Sequence, residues 1–149
     1  MKKIYILTAL TLLTSTSNLF CCDCGPAYSE ETLDNKIYSG ANYIFYTAEI
    51  LSVNSAFHLE VTLQINKIYY GSEFVKDISK PVTVYFDLRS ECAILQSSNI
   101  QPGAQLFITS AYNNMGRMLI TNNCDAFFPV EDIAKYNLQP YLEDLKNVE

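Results

Sequence analysis

The side chains best suited to chemistry are five cysteines, Cys21, Cys22, Cys24, Cys92 and Cys124. Widely spaced thiols can pair as disulfides, hold a metal or act as nucleophiles, and the rest of the sequence narrows the choice. A structural zinc is poorly served, because the spacing lacks two C-x-x-C knuckles. Nucleophilic catalysis needs a base, and His58 is the only histidine in the chain. It falls in the polar phase of an alternating segment, where a surface position is expected, so histidine-dependent triads and histidine-rich metal sites are all but excluded. The carboxylates Asp87, Glu91 and Asp125 stand in no recognisable turn motif and are expected on the solvated surface. Phosphate-binding glycine loops are missing. No constellation supports an enzyme, so neither catalytic residues nor a cofactor are expected.

The beginning of the sequence points to disulfides. Lys2 and Lys3 precede an apolar stretch from Ile4 to Leu13, followed by the small polar run Thr14, Ser15, Thr16, Ser17. That order is the signature of a secretory signal peptide. The apolar run is too short to cross a bilayer of about 30 Å as a helix. Cleavage after Cys21 leaves four cysteines, whereas cleavage after Ser17 fits the small-x-small pattern better and retains Cys21. An exported chain meets an oxidising compartment, secreted or periplasmic, where distant cysteines are read first as disulfides. Four cysteines allow three connectivities, and pairing Cys22 with Cys24 would close a strained ring.

Residues 22–149, about 128 in number, are enough for one domain with a single core. Taking Lys2 and Lys3 from the ten basic residues leaves eight against sixteen acidic ones, a formal charge of about −8. Nucleic acid is not an expected partner, since phosphate binding depends on clustered Lys and Arg. A polybasic patch for an anionic membrane is also missing.

These residues need a scaffold, and the periodicities describe one. Ser29 can cap a short helix with Glu30 and Glu31 in its first turn, ending near Ser39 and Gly40. From Asn42 to Val53 the period changes to two, with Ile44, Tyr46, Ala48 and Ile50 on one side and Tyr43, Phe45, Thr47, Glu49 and Leu51 on the other. Phe57, Leu59, Val61, Leu63 and Ile65 alternate with polar residues, and the phase slips at Lys67 and Ile68, which predicts a bulge before Tyr70 and Gly71. Further strands are expected over Val82–Leu88, with Pro81 at its entry, over Leu106–Tyr112 and over Met118–Thr121. Ser72 to Lys80 reads as an exposed loop. Ile133, Tyr136, Leu138, Tyr141, Leu142 and Leu145 give a helical pattern interrupted by Pro140. Eleven tyrosines and eight phenylalanines are expected mostly in the core, with Tyr69, Tyr70, Phe127 and Phe128 as the alternative exposed contact patch. Five strands with few intervening helices must close or stack on themselves. The expected fold is therefore all-β with short helices, a five-stranded Greek-key barrel of the OB type with a carboxy-terminal helix.

The start at Cys22-Asp23-Cys24, a strand ending in Tyr70 and Gly71, a lone Cys92 after the third strand, Pro102 and Gly103 before the fourth, and a last Cys124 together resemble the netrin-like domain. More specifically they resemble the amino-terminal domain of the tissue inhibitors of metalloproteinases and its bacterial relatives. The resemblance runs from Cys22 to Cys124. With the leader and the tail pattern, it divides the chain into an expected signal peptide over 1–21, a barrel domain over 22–128 and a helical tail over 129–149. It also implies the disulfides Cys22–Cys92 and Cys24–Cys124, each removing on the order of 4 kcal/mol of denatured-chain entropy in the simple loop model.

In the inhibitors this chain resembles, the α-amino group and carbonyl of the first cysteine occupy the open position on a protease's catalytic zinc. Carried over residue by residue, the inhibitory wedge is Cys22, Asp23, Cys24, Gly25 and Pro26, with Cys22 as the metal-binding residue. The partner implied is a zinc metalloprotease. The alternative is a netrin-like interaction module that binds another extracellular protein and does not inhibit.

Overall fold

The computed structural model describes residues 28–55, 59–87, 100–115, 118–122 and 125–145. The first element is helix α1, Glu30–Tyr38. Ser29 has extended backbone and its hydroxyl accepts from the Thr32 N–H at 3.2 Å, a side-chain cap that satisfies one of the donors a helix start leaves unpaired. Glu30 and Glu31 follow at the positive end of the helix dipole. The helix stops where the Ser39 hydroxyl donates to the Lys36 carbonyl and Gly40 takes a left-handed conformation.

Six strands follow: β1 Tyr43–Asn54, β2 Leu59–Tyr70, β3 Val82–Asp87, β4 Gln105–Asn113, β5 Met118–Asn122 and β6 Phe127–Pro129. They are ordered β1-β2-β3-β5-β4-β6, and β1 also pairs with β4, so the first five close into a barrel. Every pairing in the ring is antiparallel except β3 with β5, which run parallel. This is an OB-like closed barrel with a few short helices, the expected coarse architecture. Closure removes the sheet edges that an open five-stranded sheet would expose.

The phase slip expected in β2 is present. Phe45 pairs with Tyr70 but Tyr46 with Ile68, and Thr47 pairs with Lys67 but Ala48 with Ile65, so Tyr69 and Asn66 are extra residues on β2. A third irregularity lies between Ile50 and Ser52 on β1. Such bulges add local twist, which a small closed barrel needs. They also change which face a residue meets: Val61, Leu63 and Ile65 point into the barrel, whereas Tyr69 packs outside it.

Two apolar cores result. The barrel interior holds Ile44, Tyr46, Ala48 and Ile50 from β1, with Leu63, Val84, Ile108 and Phe127 among their neighbours. The second core lies outside the barrel, where Phe45, Phe107 and Phe128 are covered by Leu33 of α1 and by Ile133, Leu138 and Leu142 of the tail. β1 is therefore buried on both faces over its first half, and its exposed outer positions begin near Leu51.

Three expectations are corrected. A sixth strand is present: β6 pairs with the same β4 strand as β5, and the four-residue connection 123–126 separates the two. The tail is two short helices, α2 Asp132–Lys135 and α3 Gln139–Leu145, and the break lies at Asn137, whose φ of 54° is left-handed, not at Pro140. Pro140 sits in the first turn of α3, where its missing N–H has no intrahelical acceptor to lose. Finally, the segment after β2 is not simply an exposed loop. Ser72–Phe74 forms a 3-10 turn, and Phe74 and Val75 pack against the barrel core.

Candidate functional site

The parallel strands β3 and β5 end together, with Asp87 opposite Asn122. Phe86 lies opposite Leu59 at the start of β2, and Glu60 lies opposite Asn54 at the end of β1. The β1–β2 turn, the exit of β3 and the exit of β5 thus leave one rim of the barrel. Cys92 is five residues beyond Asp87 in sequence and Cys124 two beyond Asn122.

Asp125 anchors the connection after β5. Its carboxylate accepts from Lys36 Nζ of α1 at 2.6 Å through Oδ1 and from the Asn122 N–H at 2.8 Å through Oδ2. The Tyr43 hydroxyl is a third donor to it. Lys36 also lies over the Tyr43 ring, 4.8 Å from its centroid. Asp125 is fully buried and the Lys36 side chain is 10 % exposed. Burial pushes the Asp125 carboxyl above the usual carboxylate range, and Lys36 and the surrounding donors oppose that rise. Burial, with the neighbouring Asp125 charge, pushes the Tyr43 hydroxyl up to about 12.

A second polar chain continues behind it. The Tyr46 and Ser110 hydroxyls are 2.8 Å apart, Ser110 and Thr121 are 2.7 Å apart, and Thr121 donates to the Thr109 carbonyl at 3.2 Å. The Thr109 hydroxyl accepts from the Ala126 N–H at 2.8 Å, so both backbone and side chain of Thr109 hold the connection down. Buried hydroxyls need partners of this kind, and these have them.

Asp125 was expected on the solvated surface, and that expectation is overturned. The sequence signal was weak: an acid directly before Ala126, Phe127 and Phe128, and a lysine three residues after Leu33 on the buried face of α1. Asp87 is partly buried at the rim. Tyr69, Phe127 and Phe128 are buried, so the core assignment of these aromatics stands and no exposed patch is built from them.

The amino-terminal segment meets the barrel through Tyr28. Its ring lies 4.8 Å from that of Phe128, edge to face, and 4.8 Å from that of Tyr136. Cys22, Asp23, Cys24, Gly25 and Pro26, the pairing partners Cys92 and Cys124, and also Cys21, His58 and Glu91 lie outside the described residues. Among the described residues no cluster of three or more His, Cys, Asp or Glu side chains could hold a metal, and no helix is long and apolar enough to cross a membrane. Comparison with family models and with characterised proteins finds no match for this chain.

Proposed function

We propose that the chain is an exported metalloprotease-inhibitor-like protein, secreted or periplasmic, in which signal removal leaves Cys22 first and its α-amino nitrogen and carbonyl oxygen chelate the catalytic zinc of a metalloendopeptidase. Cys22 pairs with Cys92 and Cys24 with Cys124, which turns the terminal segment Cys22 to Pro26 into a rigid prong. A metal-bound amine must be deprotonated, and an α-amino group of unperturbed pKa near 8 loses its proton far more readily than a lysine.

The observation that carries this reading is the seat of the amino-terminal segment. Tyr28 and Phe128 touch ring to ring, and Cys24 and Cys124 each lie four residues before one of them. Four residues reach at most about 14 Å, so chain length permits the two cysteines to approach the Cα separation, about 5.5–6 Å, that a disulfide prefers. Asp87 and Asn122 lie opposite each other, so the stretches leading to Cys92 and Cys124 begin from one rim. The OB-like barrel agrees with the scaffold that the resemblance implies.

The test is amino-terminal sequencing and nonreducing peptide mapping of the exported protein, followed by inhibition assays on a panel of zinc metalloproteases. A start at Cys22, the two stated bridges and inhibition that is lost on acetylating the α-amino group are expected. A start at Asn18 removes the mechanism, because Asn18 to Cys21 then block the amine. Inhibition should strengthen as pH rises through about 8, where the free amine appears. Asp23 stands where the inhibitors this chain resembles insert a small or apolar side chain, and burying an unpaired carboxylate is costly. Asp23→Ala should therefore tighten binding.

The second reading is a netrin-like interaction module without inhibitory activity. An apolar groove at the opposite end of the barrel favours it.

A further inference from the structure

The starts of β3 and β5 lie at the end of the barrel away from the rim. Among the described residues the two strands pair from Val84 and Leu119 onward. A groove of about 490 Å³ is lined by residues of both strands. That volume is in the range of sites that accept a side chain or small ligand. Val82, Leu119 and Tyr85 line it, together with the stacked pair Phe74 and Tyr112, whose ring centroids are 5.2 Å apart at 23°.

The mouth carries charge of the sign opposite to the rest of the molecule. The described lining includes Lys76 and Lys80 with one carboxylate, Asp77, two positive groups against one negative on a chain of formal charge −6. Lys76 is exposed and makes no ion pair among the described residues, whereas Lys36, Lys67 and Lys135 each have a carboxylate partner. Lys80 holds Asp77 only at 3.3 Å in an exposed pair, an interaction of little worth. Asp77 does not depend on it: the Ser79 hydroxyl donates to the Asp77 carboxylate at 2.6 Å and the Ser79 N–H at 3.0 Å. Breaking this exposed pair costs little, so Lys80 can exchange Asp77 for an incoming carboxylate. Large apolar side chains stand exposed on the same two connections, Ile78 on the β2–β3 segment and Met115 on the β4–β5 hairpin.

We infer that this groove binds a segment of an extracellular protein that inserts one aromatic side chain between Tyr85 and the Phe74–Tyr112 stack, with flanking carboxylates held by Lys76 and Lys80. Aromatic walls favour a ring in stacked or edge contact, and exposed lysines beside a half-buried apolar site give charge selectivity at little desolvation cost. The extracellular setting rests on the export proposed above, and the peptide titration reads the groove independently of protease inhibition.

The test is an amide NMR titration of the full exported chain with three capped tripeptides: Asp-Phe-Asp, Lys-Phe-Lys and Asp-Ala-Asp. Asp-Phe-Asp is expected to shift Lys76, Thr83, Tyr85, Tyr112 and Leu119, and to bind about tenfold more tightly than either control, a difference of about 1.4 kcal/mol. Lys76→Glu, a substitution at an exposed position, is expected to weaken it about tenfold while the apparent melting temperature stays put. Equal binding of Lys-Phe-Lys, unchanged affinity in Lys76→Glu, or shifts elsewhere would overturn the assignment. So would tighter binding of a short oligothymidylate at the same residues, which would make the groove a site for single-stranded nucleic acid.

Discussion

Lys36 Nζ sits 2.6 Å from Asp125 Oδ1, joining the helix that follows the amino terminus to the connection between β5 and β6 across 89 positions of sequence. Two buried charges are costly to desolvate, so such a pair is tolerated only when its remaining hydrogen-bonding capacity is used, here by Asn122 and Tyr43.

Removing one partner should therefore cost much more than removing both. Lys36→Met is expected to destabilise by about 3–5 kcal/mol, and Lys36→Met with Asp125→Leu by clearly less. The cost of Lys36→Met should also depend on pH. Burial raises the Asp125 carboxyl above its unfolded value, and losing Lys36 removes the opposing influence and raises it further. A group raised in this way favours the fold while it is protonated, below the ordinary carboxylate value, and that contribution is lost as pH climbs through its folded value. The single variant should thus approach wild-type stability in acid and fall away towards neutrality, as measured by denaturant melts across pH.

Alkaline pH should act through Tyr43. Its hydroxyl is raised to about 12 by burial and by Asp125, while the same group in the unfolded chain ionises near 10. Stability carried by the neutral ring is complete below about 10 and disappears as pH rises to about 12. Spectrophotometric titration of tyrosinate should show a late-titrating class, and Tyr43→Phe should remove one member of it. Tyr46 and Tyr141 belong to the same class, raised chiefly by burial.

Gly71 is required by its surroundings. It has φ of 77°, and a Cβ there would collide with the Tyr43 carbonyl oxygen where β2 closes onto the start of β1. Gly71→Ala should cost about 2 kcal/mol or more. At Gly40, also left-handed but with open space around it, the same change should cost only about 1 kcal/mol. Thermal melts of the two variants side by side measure the difference.

The tail should prove part of the fold, not an appendage. Tyr141 donates to Asp34 of α1 at 2.6 Å, and Leu138 and Leu142 are completely buried against the outer barrel face. Leu142→Ala is expected to lose about 2–5 kcal/mol. Hydrogen exchange should speed up in α1 as well as in α3, because both helices cover one core.

Much of this architecture is local and was readable directly. The Ser29 cap, the alternation in β1 and β2 and the slip near Lys67 follow from short-range propensity and from the period of apolar residues, which depend on neighbours a few positions apart. The order of the sheet and the parallel pairing of β3 with β5 were not readable, since pairing partners leave no periodic trace in either strand. Asp125 was misjudged for the same reason. A carboxylate looks solvated until the chain that follows it folds back under α1, and only the three-dimensional arrangement brings Lys36, Tyr43 and Asn122 within reach of it.

By itself, then, the amino-acid order determined the all-β class and the rough extent of α1 and the five barrel strands, because hydrophobic period and turn chemistry are written residue by residue; β6, the 3-10 turn and the break in the tail it did not. Ring closure through β1 and β4, the covering of its outer wall by α1 and the tail, the buried ion pair and the groove beside Phe74 were decided by tertiary structure. Each depends on groups distant in sequence losing water together, and that cooperative burial exists only in the assembled fold.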